Sequence, residues 1–235
     1  MRRSTPVDND PHTHLYNAIG EMEILEELSL RSERALEREL EQLHNKMDID
    51  EAELDAHQLD AYLSDMNDHY IMVSEELPLL QNYSHLLMAF SIFEKCMNDV
   101  CSGLGHRKNF PIALKDMHGQ GIQRAKAYLS KAGGIADPFA GSVWSRISVL
   151  AEIRNAIAHK SGYVEFRPSD DRSLQSRLRE EEHLEFLQET LDQRDRQITF
   201  NGTFVREATT LLANFLNELS QDLTRSLRNS NKGQT

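Results

Sequence analysis

The chain has 235 residues, 39% of them hydrophobic and 27% charged, with a formal net charge of −12 at pH 7. That length accommodates one sizeable core plus an appendage, and the composition is that of a soluble globular protein. No apolar run approaches the roughly 18 residues needed to span a bilayer, so no membrane partner is expected.

The acidity is local. Residues 21–76 hold 18 Asp/Glu and 4 Lys/Arg, whereas residues 79–167 hold 6 Asp/Glu and 11 Lys/Arg; residues 168–235 hold 12 and 9. The overall sign therefore does not exclude a nucleic-acid partner for the middle of the chain.

The start, Met1-Arg2-Arg3, is basic, but polar Ser4, Thr5, Asp8, Asn9 and Asp10 follow where a secretory signal would be apolar, which points to the cytoplasm. Residues 1–13, with Pro6 and Pro11, show no periodicity and are expected to be disordered, with structure beginning near His14. His12 and His14 lie there without a third ligand, so no metal site is expected.

Residues 14–77 read as an acidic helical hairpin or coiled-coil arm. Leu15, Ile19, Met22 and Leu25, then Leu36, Leu40, Leu43 and Met47, recur at helical spacing, and Asp48-Ile49-Asp50 is the expected turn. Ala56, Leu59, Leu63, Met66, Tyr70, Val73 and Leu77 then alternate steps of three and four, which is coiled-coil spacing. Pro78 lacks an amide hydrogen and disfavours helix at Leu77, so it either kinks this helix or starts the next one, and the domain boundary is placed there.

Residues 78–227 read as a helical domain. Tyr83, Leu87, Phe90, Phe93, Met97, Val100 and Leu104 mark a core helix ending at Gly103 and Gly105, followed by a basic loop at His106-Arg107-Lys108-Asn109. Cys96 and Cys101 on that helix fit no zinc or redox spacing and read as reduced core residues. A shorter helix ends near Ala132. Asp137-Pro138 begins another, with Val143, Trp144, Ile147, Leu150 and Ile157 inward and Gly162 as its stop. After Pro168 a charged helix is expected around Arg177 to Gln193, then a short extended piece, Gln197 to Gly202, and a last helix capped by Thr203. Residues 228–235 are expected to be a disordered tail. The fold class is thus all-α, an up-and-down bundle with an N-terminal arm.

Arg154-Asn155 followed by His159 closes the helix that ends at Gly162. With 18 Arg and 10 His, about one Arg/His pair at this spacing is expected by chance. Arg38 with His44 and Arg177 with His183 are comparable pairs in charged helices. Context separates them. Arg154 falls on the stripe of Val143, Ile147 and Leu150, so its charge is partly desolvated and needs a partner. Glu94 interrupts the stripe of Tyr83, Leu87, Phe90, Met97 and Cys101 in the same manner, and pairing the two is the cheapest solution.

These residues, with Phe90-Ser91-Ile92-Phe93-Glu94-Lys95, resemble the HEPN (higher eukaryotes and prokaryotes nucleotide-binding) domain family, RiboL-PSP-HEPN-like, over about residues 79–227. The family's hallmark is an arginine, often followed by a polar residue, and a histidine four to six residues on; an acidic residue of a core helix commonly faces the arginine. The resemblance implies a metal-independent endoribonuclease in which the ribose 2′-hydroxyl attacks the adjacent phosphate. His159 would be the general acid/base, because imidazole moves protons near neutral pH. Arg154 offers a planar fork for phosphate oxygens and Asn155 would orient either group, with Glu94 in support. Lys160, Arg146, Arg107 and Lys108 are weaker candidates for gripping the RNA backbone.

The resemblance further implies no cofactor, RNA as partner and a homodimer that assembles two copies of the motif. It also suggests a toxin or phage-defence setting, with a protein regulator or antitoxin. In toxins paired with nucleotidyltransferase antitoxins a tyrosine follows the histidine by two; here that position is Ser161, and Tyr163 comes later. The alternative is an inactive HEPN interaction module that uses the arm to bind protein.

Overall fold

The computed structural model describes residues 10–50, 56–165, 177–178, 183–187 and 195–232. Helices hold 82% of it and strands 6%, which makes the fold all-α in class. The elements are α1 (Pro11–Asp50), α2 (Ala56–Ile71), a π-helical turn (Met72–Glu76), α3 (Leu77–Lys108), α4 (Gly121–Lys131), α5 (Ser142–Lys160), β1 (Tyr163–Glu165), β2 (Leu184–Leu187), β3 (Asp195–Phe200) and α6 (Gly202–Lys232).

The first helix begins earlier than expected. Asp10 accepts from the His12 amide at 3.4 Å, and Pro11 takes the first helical position, where its missing N–H costs nothing. His12 Nδ1 then meets Ser220 Oγ of α6 at 3.3 Å, and His14 Nδ1 lies 3.9 Å from Asp99 of α3. The helix also continues through Asp50, where a turn was expected.

Pro78 stands in the first turn of α3, as expected of a proline that starts a helix. The path from Ala56 to Lys108 is unbroken, and the wider π turn just before the proline absorbs its ring, with the Leu77 amide donating to the Met72 carbonyl. Nor does the core divide there. Leu15, Ala18, Met22 and Leu25 of α1 are buried in one cluster with Phe93, Met97, Ile147, Ile153 and Phe215. Only the distal part of the hairpin stands apart, as a small cluster of Leu43, Met66 and Val73 flanked by Leu36, Leu40 and Tyr62. The boundary at 77/78 therefore gives way to a bundle in which α1 packs most extensively on α3 and α6.

Aromatic rings fill the centre: Phe139 and Trp144 have centroids 4.8 Å apart, and Phe215 lies 5.3 Å from Trp144 and 5.7 Å from Phe93. Cys96 and Cys101 are buried free thiols, pushed up to about 12 by that burial.

Three further expectations change. The glycines at 103 and 105 lie inside α3, whose last turn is the supposed basic loop; Asn109 supplies the left-handed cap at φ 54°, and Gly105 leaves room for the Tyr128 hydroxyl. The charged helix expected from Arg177 to Gln193 is interrupted by strand β2, because Leu184-Glu185-Phe186 alternates and pairs with β3; residues 179–182 and 188–194 lie outside the described residues. The final helix is capped by Asn201, whose Oδ1 accepts from the Phe204 amide at 3.2 Å, while Thr203 Oγ1 accepts from Arg206. That helix runs to Lys232, into the expected disordered tail.

The extended piece near Gln197 is the middle strand of an antiparallel sheet in the order β1-β3-β2. Tyr163 pairs with Gln197, and Leu184 with Phe200. This sheet sits directly after the motif helix.

Candidate functional site

Arg154 lies on the inward side of α5, one turn beyond Leu150, and is 29% exposed. Its Nη2 is 3.5 Å from Oε2 of Glu94, which is 28% exposed on α3. The expected cross-helix pair forms, and both groups are partly desolvated. The guanidinium carbon sits 6.0 Å from the centroid of Phe90, one turn before Glu94, so an aromatic face backs the cation.

Arg154 and His159 are five positions apart, about 140° around a helix. They do not share a face. Asn155 bridges that difference: its Oδ1 accepts from Arg154 Nη1 at 2.9 Å, and it lies one turn before His159 on the exposed side of α5. Asn155 thus links the arginine to the exposed side of the helix on which His159 lies one turn later.

A fixed turn ends this helix. Ser161 caps it at φ 51°, and the Gly162 amide donates to the Ala156 carbonyl at 3.1 Å. Gly162 has φ +85°, and a side chain there would collide with the Tyr83 hydroxyl. That hydroxyl donates to the Ile198 carbonyl, while the Ile198 amide donates to the Gly162 carbonyl at 3.0 Å. Burial first, and then proximity to Tyr163, pushes the Tyr83 phenol up to about 12, so it remains a donor. Tyr83 thus ties α3 to the sheet one turn from His159.

The remaining candidates are dispersed. Lys160 is exposed beside His159. Arg146 pairs at 3.9 Å with Glu207 of α6, more than two turns before Arg154. Arg107 and Lys108 close α3 some 20 Å along the helix from Glu94 by its rise per residue. There Arg107 meets Asp10 at 3.5 Å and Lys108 donates to Ser226 at 3.0 Å. Their basic charge serves the ends of α1 and α6, so neither they nor Arg146 joins the motif.

Of the comparison pairs, Arg38 donates to the Arg34 carbonyl and His44 stacks on Tyr70 at 5.3 Å. Arg177 grips Glu152 of α5 with both nitrogens, which raises its already high pKa. Unlike Arg154, which meets an acid of α3, Arg38 donates within its own helix and Arg177 pairs with an acid of the motif helix itself. Sequence reasoning missed two neighbours of the site, Phe90 beneath Arg154 and Gly121 beside Glu94. The first was legible as an aromatic one turn from the partly buried acid.

Fold and site together define a mostly helical protein that presents an Arg-Asn-x3-His helix end, anchored by a carboxylate on one side and a small sheet on the other. Comparison with protein-family models, curated proteins and solved structures finds no match. Among the described residues no helix is long and apolar enough to cross a membrane, and no cluster of metal-ligating side chains occurs.

Proposed function

We propose that this protein is a HEPN-type endoribonuclease that cleaves RNA without a metal, with RNA as substrate and a homodimer as the working form. The observation that carries the reading is the Arg154–Glu94 pair together with the Arg154–Asn155 hydrogen bond. A partly buried arginine is held by two side chains, one of which, Asn155, lies one turn before the exposed His159.

In this mechanism Arg154 binds the phosphate oxygens and stabilises the negative charge that builds on them as the 2′-oxygen attacks phosphorus. His159 moves the proton, either from the attacking 2′-hydroxyl or to the departing 5′-oxygen. One imidazole per chain does not conveniently serve both ends, and the motif face is open. A second copy, brought up by twofold symmetry, supplies the other histidine. The metal-free chemistry, the dimer and the setting, a toxin or phage-defence effector held by a regulator or antitoxin, come from the family resemblance, and the cytoplasmic location from the polar N-terminal residues.

The test is product chemistry. RNA incubated with the protein in the presence of a chelator should yield 2′,3′-cyclic phosphate and 5′-hydroxyl ends; 3′-hydroxyl ends, or no cleavage, would oppose the reading. A second reading, an inactive interaction module, is favoured by Arg154 being already engaged by Glu94 and Asn155, which leaves less of its fork for a ligand. RNA-independent capture of a protein partner with no cleavage would support it.

A further inference from the structure

We propose that Gly121 is a positioning residue for the site: its missing side chain leaves the space in which the Glu94 carboxylate meets Arg154. This rests on the ribonuclease reading for its catalytic consequence, but not for its geometry.

Gly121 is the first residue of α4. A Cβ built there would lie 3.1 Å from Oε1 and 3.7 Å from Cδ of Glu94, and it would meet nothing else within 4 Å. The other oxygen of the same carboxylate is the one 3.5 Å from Arg154 Nη2. One carboxylate therefore spans the start of α4 and the motif arginine.

The helix cannot easily retreat from an added methyl group. Ile122, Ala125, Tyr128 and Leu129 of α4 are buried, Gln123 Nε2 donates to Ser148 Oγ of α5 at 3.4 Å, and the Ala125 carbonyl accepts from Cys101 of α3 at 3.7 Å. A side chain at 121 would displace the carboxylate instead, because interiors are close-packed and the carboxylate is the softer neighbour.

Gly121 has φ +52°, which favours glycine, but so does Gly119 at φ +107° in the same loop. The nearest atom to a Cβ at 119 is the Arg124 amide at 3.5 Å, an ordinary contact that does not involve Glu94. The two glycines share a conformational demand, and one of them also borders the site.

The experiment compares G121A, G119A and the double variant G121A/E94D with the parent, by RNA cleavage and by NMR of the Arg154 guanidinium. G121A should lower kcat about tenfold with KM within about twofold, because displacing an orienting group by under 1 Å already slows a positioned reaction. Shortening the acid by one methylene makes room, so the double variant should cleave faster than G121A, and G119A should stay within about threefold of the parent. Parental kcat in G121A, or no rescue by E94D, would overturn the inference. If the parent cleaves no RNA the ribonuclease reading fails and NMR decides: rotation of the Arg154 guanidinium should be hindered in the parent and freed in G121A. Parent-like rotation in G121A would overturn the positioning role.

Discussion

Arg154 on α5 and Glu94 on α3 meet at 3.5 Å with less than a third of each side chain exposed, so the motif arginine is part of the bundle as well as part of the site. A double-mutant cycle with E94Q and R154Q should return a coupling of about 0.5–1.5 kcal/mol in urea unfolding, above that of a fully solvated pair. Coupling near zero would mean that the two side chains do not interact in solution.

The turn after His159 should be intolerant of a side chain. Gly162→Ala combines a left-handed φ of +85° with a collision against Tyr83, and is expected to cost about 2 kcal/mol or more. Tyr83→Phe removes the hydroxyl and with it the bond to Ile198 but leaves the ring in place, and should cost about 1 kcal/mol. Thermal unfolding of both variants checks the order; equal losses would show that the hydroxyl, not the glycine, governs the turn.

His85 on α3 is buried, its Nδ1 has no hydrogen-bond partner, and desolvation lowers its pKa from 6.5. The unfolded chain therefore binds the proton more readily than the folded one, and stability should fall as pH drops below about 6.5. Replacing His85 by Gln should flatten that part of the stability profile. A profile unchanged between pH 7 and 5.5 would contradict the burial of a neutral ring.

The two clusters along α1 should respond differently. Met22→Ala opens a cavity in the main core and should cost about 2–4 kcal/mol, whereas Leu43→Ala, in the small distal cluster, should cost under about 2 kcal/mol and leave the main transition in place. Similar losses at both positions would show that the distal hairpin is as integral as the base of the helix.

Much of the bundle was legible because helical periodicity is a local signal, and the stripes through Phe93 and Ile147 are long and clean. The Arg154–Glu94 pair was legible for a related reason: a charge on an apolar stripe asks for a partner, and each helix showed one such interruption. The role of the first half of α1 was not, since periodicity finds a helix without saying what it packs against. Leu15 to Leu25 and Leu36 to Leu43 look alike in sequence, yet the former lie in the main core and the latter in a separate cluster. The sheet was hidden because β1 is three residues long and its pairing with β3 joins segments over thirty residues apart. Basic charge alone does not locate the site: Arg107 meets Asp10 just before α1, and Lys108 and Arg146 meet Ser226 and Glu207 of α6.

The most direct measurement is cleavage of structured and single-stranded RNA by the purified protein and by His159→Ala, with a chelator present. The ribonuclease reading predicts cleavage by the parent and a loss of at least about 100-fold in the variant, the usual scale of a positioned acid/base group. Equal, background-level cleavage by both proteins would contradict it.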